Sequence, residues 1–179
     1  TYDSSGTYIA NIGQGSLSSV APSVGSYWNA GIFNLTPSTN LSVSSIDAMA
    51  MATSGGTVEV WTCIGNASGQ IADASNWTLA GSAVVTANNN FDLVNVPVTG
   101  ISGNIGDTIG VWVYMPSGII FDPVNGSAFE LENSDINLGI SNGLMAGGAP
   151  GSTTTTSPAA YSFAGNINYI LGEGCDSTA

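Results

Sequence analysis

The chain has no lysine, no arginine and no histidine in its 179 residues. Each absence removes a class of chemistry. Without histidine there is no imidazole base, no Ser-His-Asp or Cys-His pair and no His-ligated metal. Without lysine there is no Schiff base and no P-loop amine. With arginine missing too, no side chain neutralises phosphate, which argues against nucleic acid and anionic membrane as partners. Long apolar runs are also missing. No stretch of about 18 apolar residues is present to span a bilayer, so no membrane insertion is expected. Trypsin-like proteases find nothing to cut after, which suits life outside the cell. The chain begins at Thr1 without a basic, apolar leader. It reads as a mature, secreted form whose signal peptide has been removed, located at the cell surface or free in the exterior.

What is present is acidic and apolar together. Twelve Asp and Glu residues give a net charge of -12, yet 43% of residues are hydrophobic and mean hydropathy is +0.26. That balance excludes a disordered acidic tail and suits one domain with its own core. The carboxylates have no cationic side chain to pair with. Each must sit in water, accept N–H bonds, hold a metal ion or be protonated. Salt bridges cannot stabilise such a fold, so packing and the backbone ladder must.

Helical periodicity over long windows is absent. Short alternating runs separated by Gly, Asn, Ser and Pro predict strands at Tyr8–Ile12, Ser26–Leu35, Leu41–Met51, Thr57–Ile64, Trp77–Thr86, Phe91–Val98, Thr108–Met115, Ala128–Glu132, Ile136–Ile140 and Tyr161–Leu171. Thr108–Met115 is apolar on both faces and is expected to lie centrally. Ile71–Asn76 could form one helical turn, and Gly147–Ser157 reads as a mobile loop or an edge strand. About ten strands at this spacing predict an all-β fold, an antiparallel two-sheet sandwich of jelly-roll-like type. Residues 26–179 form the expected sandwich domain and residues 1–25 an N-terminal arm.

The segments NAGIFNL at Asn29–Leu35, GTVEVWTCIG at Gly56–Gly65, NWTLAGSAVVT at Asn76–Thr86, GDTIGVWVYM ending at Met115 and FAGNINYIL at Phe163–Leu171 together resemble a β-sandwich module of secreted bacterial surface proteins and exoenzymes. The similarity rests on strand pattern and spacing and covers most of the chain after residue 25. It implies an exported accessory or structural role and no catalytic residues.

Several groups could carry chemistry. Asp122, Asn125, Glu130, Glu132 and Asp135 offer oxygens within a short span and could hold calcium, although their spacing is not that of an EF-hand. Glu130 and Glu132 share one face of a predicted strand, roughly 7 Å apart, a separation open to glycoside hydrolysis or to a plain solvated edge. Trp61 shares a face with Glu59 and is the best candidate for an exposed sugar-binding platform. Trp112 is expected in the core, and Trp77 is expected to cap one end of it. Cys63 and Cys175 make an even count, and a disulfide within the chain would contribute about 4–5 kcal/mol. A bridge between chains and two free thiols are the alternatives. Asn34, Asn40, Asn66, Asn76 and Asn125 each begin an N-glycosylation tripeptide.

The arm carries a thin apolar set, Tyr8, Ile9, Ile12, Leu17 and Val20. It could pair at an edge of its own sandwich or add a strand to the next copy, which needs no charges. A head-to-tail contact of the second kind yields a filament. The leading expectation is therefore a secreted, non-enzymatic structural subunit that polymerises with itself. A binding module for glycans or a surface is the second reading.

Overall fold

The computed structural model describes residues 13–18, 26–50, 56–85, 89, 91–124, 130–132, 135–139, 144–152, 154–156 and 160–172. Among them are fourteen strands: β1 (Gln14–Ser18), β2 (Ser26–Pro37), β3 (Leu41–Ala50), β4 (Thr57–Ile64), β5 (Thr78–Val84), β6 (Asp92–Pro97), β7 (Ser102–Gly103), β8 (Ile109–Val124), β9 (Glu130–Glu132), β10 (Ile136–Gly139), β11 (Leu144–Ala146), β12 (Thr154–Thr156), β13 (Ala160–Phe163) and β14 (Gly165–Leu171). No α-helix occurs among the described residues. The helical turn expected within Ile71–Asn76 is the 3-10 turn Ala74–Asn76, and a second 3-10 turn, Ala67–Gly69, precedes it.

All strand pairs are antiparallel. The chain forms the expected two-sheet sandwich. One layer runs β5-β4-β8-β2, extended by β10-β9 beside one half of β2 and by β11-β12 beside the other. The opposing layer runs β1-β14-β3, with β6 and β7 on the far edge of β3. The hydrogen-bond ladder is nonetheless continuous through all fourteen strands. The reason is the length of β8. Its first half pairs β2 and β4, and its second half pairs β2 and β13, with a single bridge from Ile119 to Ala50 of β3. Sandwich corners of this kind need bends. Gly118 supplies one within β8 at φ 94°. Gly165 supplies the other between β13 and β14 at φ 152°, where any Cβ would lie 1.9 Å from the Asp47 carbonyl oxygen.

Alternation along the strands builds the core. Phe33 and Leu35 of β2, Val58 and Val60 of β4, Val111, Val113 and Met115 of β8 face Leu17, Val43, Ile46, Ala48, Val94, Val96, Ile167 and Tyr169 of the other layer. The Phe33 and Phe163 rings meet at 5.0 Å. A bulge between Asn168 and Tyr169 shifts the register against β3, so that Val43 and Ile46, an odd step apart, both point inward.

Three strands were not expected: β1, β7 and β11. β7 and β11 are two and three residues long, too short for alternation to register. β12 lies within the stretch read as a mobile loop or an edge strand, as an edge strand on β11. β1 belongs to the N-terminal arm and follows the first of its two expected arrangements, pairing with its own sandwich. It pairs β14 from Gln14↔Ile170 to Ser18↔Asn166, and Leu17 is 4% exposed in the chain's own core. For this segment the arm pairs with its own sheet. Tyr8, Ile9, Ile12 and Val20, and the strand expected at Tyr8–Ile12, lie outside the described residues.

This placement makes Leu17 a stability residue. Leu17→Ala should cost about 2–4 kcal/mol in urea unfolding, as a truncated core leucine does. Its exposed neighbour Ser18→Ala should change stability by less than about 0.5 kcal/mol. Equal, small effects would mean that β1 does not close the core.

Candidate functional site

The first layer is buried on both faces. Its outer face carries Ala30 and Ile32 of β2, Cys63 of β4 and Trp112 of β8, covered by Ala67 and Trp77 from the segment between β4 and β5 and by Ala146 from β11. Trp61, Ile71 and Tyr114 pack against this second cluster, half-buried. Trp112 is fully buried, as expected, but it lies beneath this cover and not between the sheets. Trp77 belongs to the same cover and does not cap the main core. The two rings meet edge to face at 5.2 Å. Each indole N–H finds a carbonyl: Trp77 Nε1 donates to Gln70 at 3.0 Å, and Trp112 Nε1 to Gly148 at 3.1 Å. The Gly148 bond ties down the stretch that the sequence presented as a mobile loop.

The cover is latched by polar contacts. Asn34 is the one buried polar residue in the described core. Its Oδ1 accepts the Ala67 amide at 2.9 Å, and its Nδ2 donates to Asn66 Oδ1 at 3.3 Å. A glycine opposite it, Gly110, leaves room for the Cys63 sulfur and for Ala67, which would lie 2.4 and 3.1 Å from an added Cβ. Farther along, Asp73 Oδ1 accepts the Ser75 amide at 2.9 Å and the Ser75 hydroxyl at 2.7 Å. These bonds hold the Asp73 carboxyl below its ordinary value.

Where the two layers part at this end, an open cleft of about 780 Å³ forms. Thr62, Ile64 and Gly65 of β4 and its end make one wall, and Gln70, Asn76 and Thr78 of the cover another. Thr99 to Ser102 and the turn from Gly106 to Thr108 close the far side. That turn is held in place. Asp107 Oδ2 accepts the Asn104 amide at 2.8 Å, Gly106 N–H donates to Pro37 at 3.0 Å, and Ile105 N–H donates to Asn40 Oδ1 at 3.1 Å. Asp107 brings the cleft's one carboxylate, and its Oδ1 takes no part in these bonds. The remaining polar groups are hydroxyls, amides and backbone. Ile64 is 94% exposed at the wall, an unusual place for a large apolar strand residue.

Cys63 lines the same cleft and is a free, buried thiol. The expected bridge to Cys175 is not formed at Cys63, whose sulfur is occupied in packing over Gly110. Cys175 itself lies outside the described residues. Burial pushes the Cys63 thiol up to about 11, against a lowering backbone contact at Gly110, so it stays protonated at neutral pH.

The other candidates are dispersed. Trp61 shares a face with Glu59, as expected, and its Nε1 donates to Glu59 Oε2 at 3.1 Å. It stands on the outer face, opposite Trp112 and Leu79, away from the cleft walls. Asp122 pairs Ser162 beside the Ser26 end of β2, whereas Glu130 and Glu132 pair β10 beside the Asn34 end. Those ends are of order 25 Å apart along the strand. Asp135 Oδ2 accepts the Tyr169 hydroxyl at 2.9 Å and so anchors a buried ring at the rim. Asn125 lies outside the described residues, and among the described residues no three acidic or thiol groups converge on a metal position. The expected calcium set is therefore split, with Asp122 apart from Glu130, Glu132 and Asp135.

An unexpected constellation lies on the outer face of the second layer. Asp47 of β3 receives Asn95 Nδ2 at 2.5 Å on Oδ1, and Asn166 Nδ2 and Asn168 Nδ2 at 3.0 Å each on Oδ2. Asn168 continues to Ser45 and to Ser16, binding β6, β3, β14 and β1 side by side. Burial raises the Asp47 carboxyl, but the amides of Asn166, Asn95 and Asn168 together outweigh it and leave it below its ordinary value. No sequence motif marks this ladder, because its members come from four separate strands. No known family model and no curated protein matches the chain, so function is read from the site itself.

Two outcomes follow from these groups. A depressed folded pKa means that the Asp47 contribution is whole above the unfolded value near 4 and is lost as pH falls through the folded value. Asp47→Asn should cost about 1–2 kcal/mol near neutrality and flatten the stability–pH curve below about pH 4. Parallel loss of stability with acid in both proteins, followed by urea midpoints, would remove Asp47 as the source. For the thiols, alkylation after unfolding without reductant should add two groups by intact mass, one for each cysteine. A bridged chain would add none.

Proposed function

We propose that the protein is an extracellular, non-enzymatic β-sandwich module that binds neutral, polyhydroxylated ligands of the glycan class in the cleft at the end of the sandwich. The observation that carries this reading is the make-up of the walls. Hydroxyls and amides from Thr62, Gln70, Asn76, Thr78 and Thr99 surround one carboxylate, with the exposed Ile64 beside them. Sugars offer this combination in reverse: rings of hydroxyls that donate and accept, and C–H faces that pack on apolar side chains. The net charge of -12 disfavours anionic ligands. Pinned walls support binding without a large ordering cost. A thiol held protonated at about 11 supports binding over nucleophilic chemistry in the same cleft.

A second reading keeps self-assembly. β1 is an edge strand of the second layer, and its outer side has no partner strand among the described residues. An edge of this kind can accept a strand from another copy. With Leu17 committed to its own core, the donor would be sought ahead of Gly13.

Glycan-array or calorimetric titration tests the leading reading. Asp107→Ala and Ile64→Ser should each weaken binding of a neutral glycan roughly tenfold, the equivalent of about 1.4 kcal/mol, with the fold intact by circular dichroism. Trp61→Ala should leave that affinity unchanged. Loss with Trp61→Ala alone would move the site to the outer face, and silence across neutral glycans would end the proposal. For the second reading, removing Thr1–Ile12 should abolish concentration-dependent polymers while leaving the sandwich folded.

A further inference from the structure

We infer that Asn66 is an acceptor for N-linked glycan. This rests on export of the chain and not on the ligand of the cleft. The sequence offers five acceptor tripeptides, and the fold makes them unequal. Asn34 is 8% exposed, and both ends of its amide are used inside the protein. A sugar on its Nδ2 would have to displace the cover of the outer face. Asn40 is half-buried, between the end of β2 and the start of β3. Asn76 is exposed but lines the cleft, so a glycan there would fill it. Asn125 lies outside the described residues.

Asn66 is different in three respects. It is exposed, just beyond the end of β4. Its tripeptide Asn66-Ala67-Ser68 is folded as a turn in which the Ser68 amide and the Ser68 hydroxyl both donate to Asn66 Oδ1, at 2.9 and 2.8 Å. Every bond at this side chain, including that from Asn34 Nδ2 at 3.3 Å, falls on the oxygen. Attaching a sugar to Nδ2 therefore costs none of the contacts that latch the cover. The same donors draw electron density from the carbonyl and make the amide N–H more acidic. The hydroxyl two residues on, which the acceptor pattern demands, is already turned toward the amide.

The reaction balances as a glycosyl transfer. The donor is an oligosaccharide carried on a lipid pyrophosphate. Asn66 Nδ2 attacks the anomeric carbon, a C–N bond forms and the C–O bond to the pyrophosphate breaks. The lipid pyrophosphate leaves with the bonding electron pair, and the amide proton passes to a base of the transferase. The amide oxygen and its three hydrogen bonds are untouched.

The test is site occupancy in the full chain secreted from a host that N-glycosylates. With no Lys or Arg to cleave after, peptides are made with a Glu- or aromatic-specific protease. Enzymatic release of glycan in heavy-oxygen water then marks each occupied Asn by its mass. Occupancy concentrated at Asn66, with none at Asn34, is expected. Ser68→Ala should abolish the mark at Asn66, and Ser68→Thr, which keeps the hydroxyl, should retain it. An unmarked Asn66, whether other sites are marked or not, overturns the inference. So does a mark at Asn66 that survives in Ser68→Ala.

Discussion

With no basic side chain in the chain, the described carboxylates that leave bulk water are met by neutral donors, and this one constraint organises the polar structure. Asp47 takes three asparagine amides, Glu59 an indole N–H, Asp135 a tyrosine hydroxyl, and Asp73, Asp92 and Asp107 backbone amides. A neutral donor stabilises an ionised carboxylate with a charge-assisted bond while adding no charge of its own to desolvate. The cost falls on geometry, since several donors must converge where one guanidinium would serve. Turns and sheets supply that convergence. Asp73, Asp92 and Asp107 sit where turn N–H groups lack ladder partners, and Asp47 sits where four adjacent strands bring amides to one point.

The same constraint explains why the first layer is buried twice. A sheet face with no Lys or Arg fringe has little to offer water, and the segments after β4 and β10 fold back over the outer face of β8. The cover cannot be held by ion pairs. Asn34 holds it instead, as a buried amide with both functional ends satisfied. Buried polar groups that are fully paired specify one arrangement where an apolar contact would tolerate several. The walls of the cleft inherit that rigidity, because Gln70 and Asn76 belong to the latched segment and Thr78 opens β5 in register with Thr62.

Period-two patterning made most of the sandwich legible. Thr57–Ile64 was placed to the residue, and the two apolar faces of Thr108–Met115 foretold a central strand flanked by β2 and β4. Pattern alone ended β8 at Met115, because Pro116, Ser117 and Gly118 resemble a turn, whereas the strand bends there and continues to Val124. β1 escaped because Gly and Ser dilute the alternation around Leu17. The cleft and the Asp47 ladder were not legible at all. Their members come from strands and turns remote in sequence, and only the register of β6, β3, β14 and β1 brings the amides to one carboxylate. The acids from Asp122 to Asp135 show the converse. Proximity in sequence between Asp122 and Glu130 is undone by strands that run to opposite ends of β2.

A chain without cations also limits what it can recognise. Binding sites that rely on charge attract over a Debye length of about 10 Å and lose strength with salt. A cleft of hydroxyls and amides acts only at hydrogen-bond range, and its selectivity comes from leaving no donor or acceptor unmatched. The proposed site would keep its affinity in salty surroundings, where a chain bearing twelve carboxylates and no cationic side chain is also least troubled by its own repulsion. The missing residues therefore bear on stability and on recognition in the same direction. Stability rests on short contacts to neutral donors fixed by the backbone, and the proposed recognition would rest on hydroxyls and amides set around the single carboxylate of Asp107.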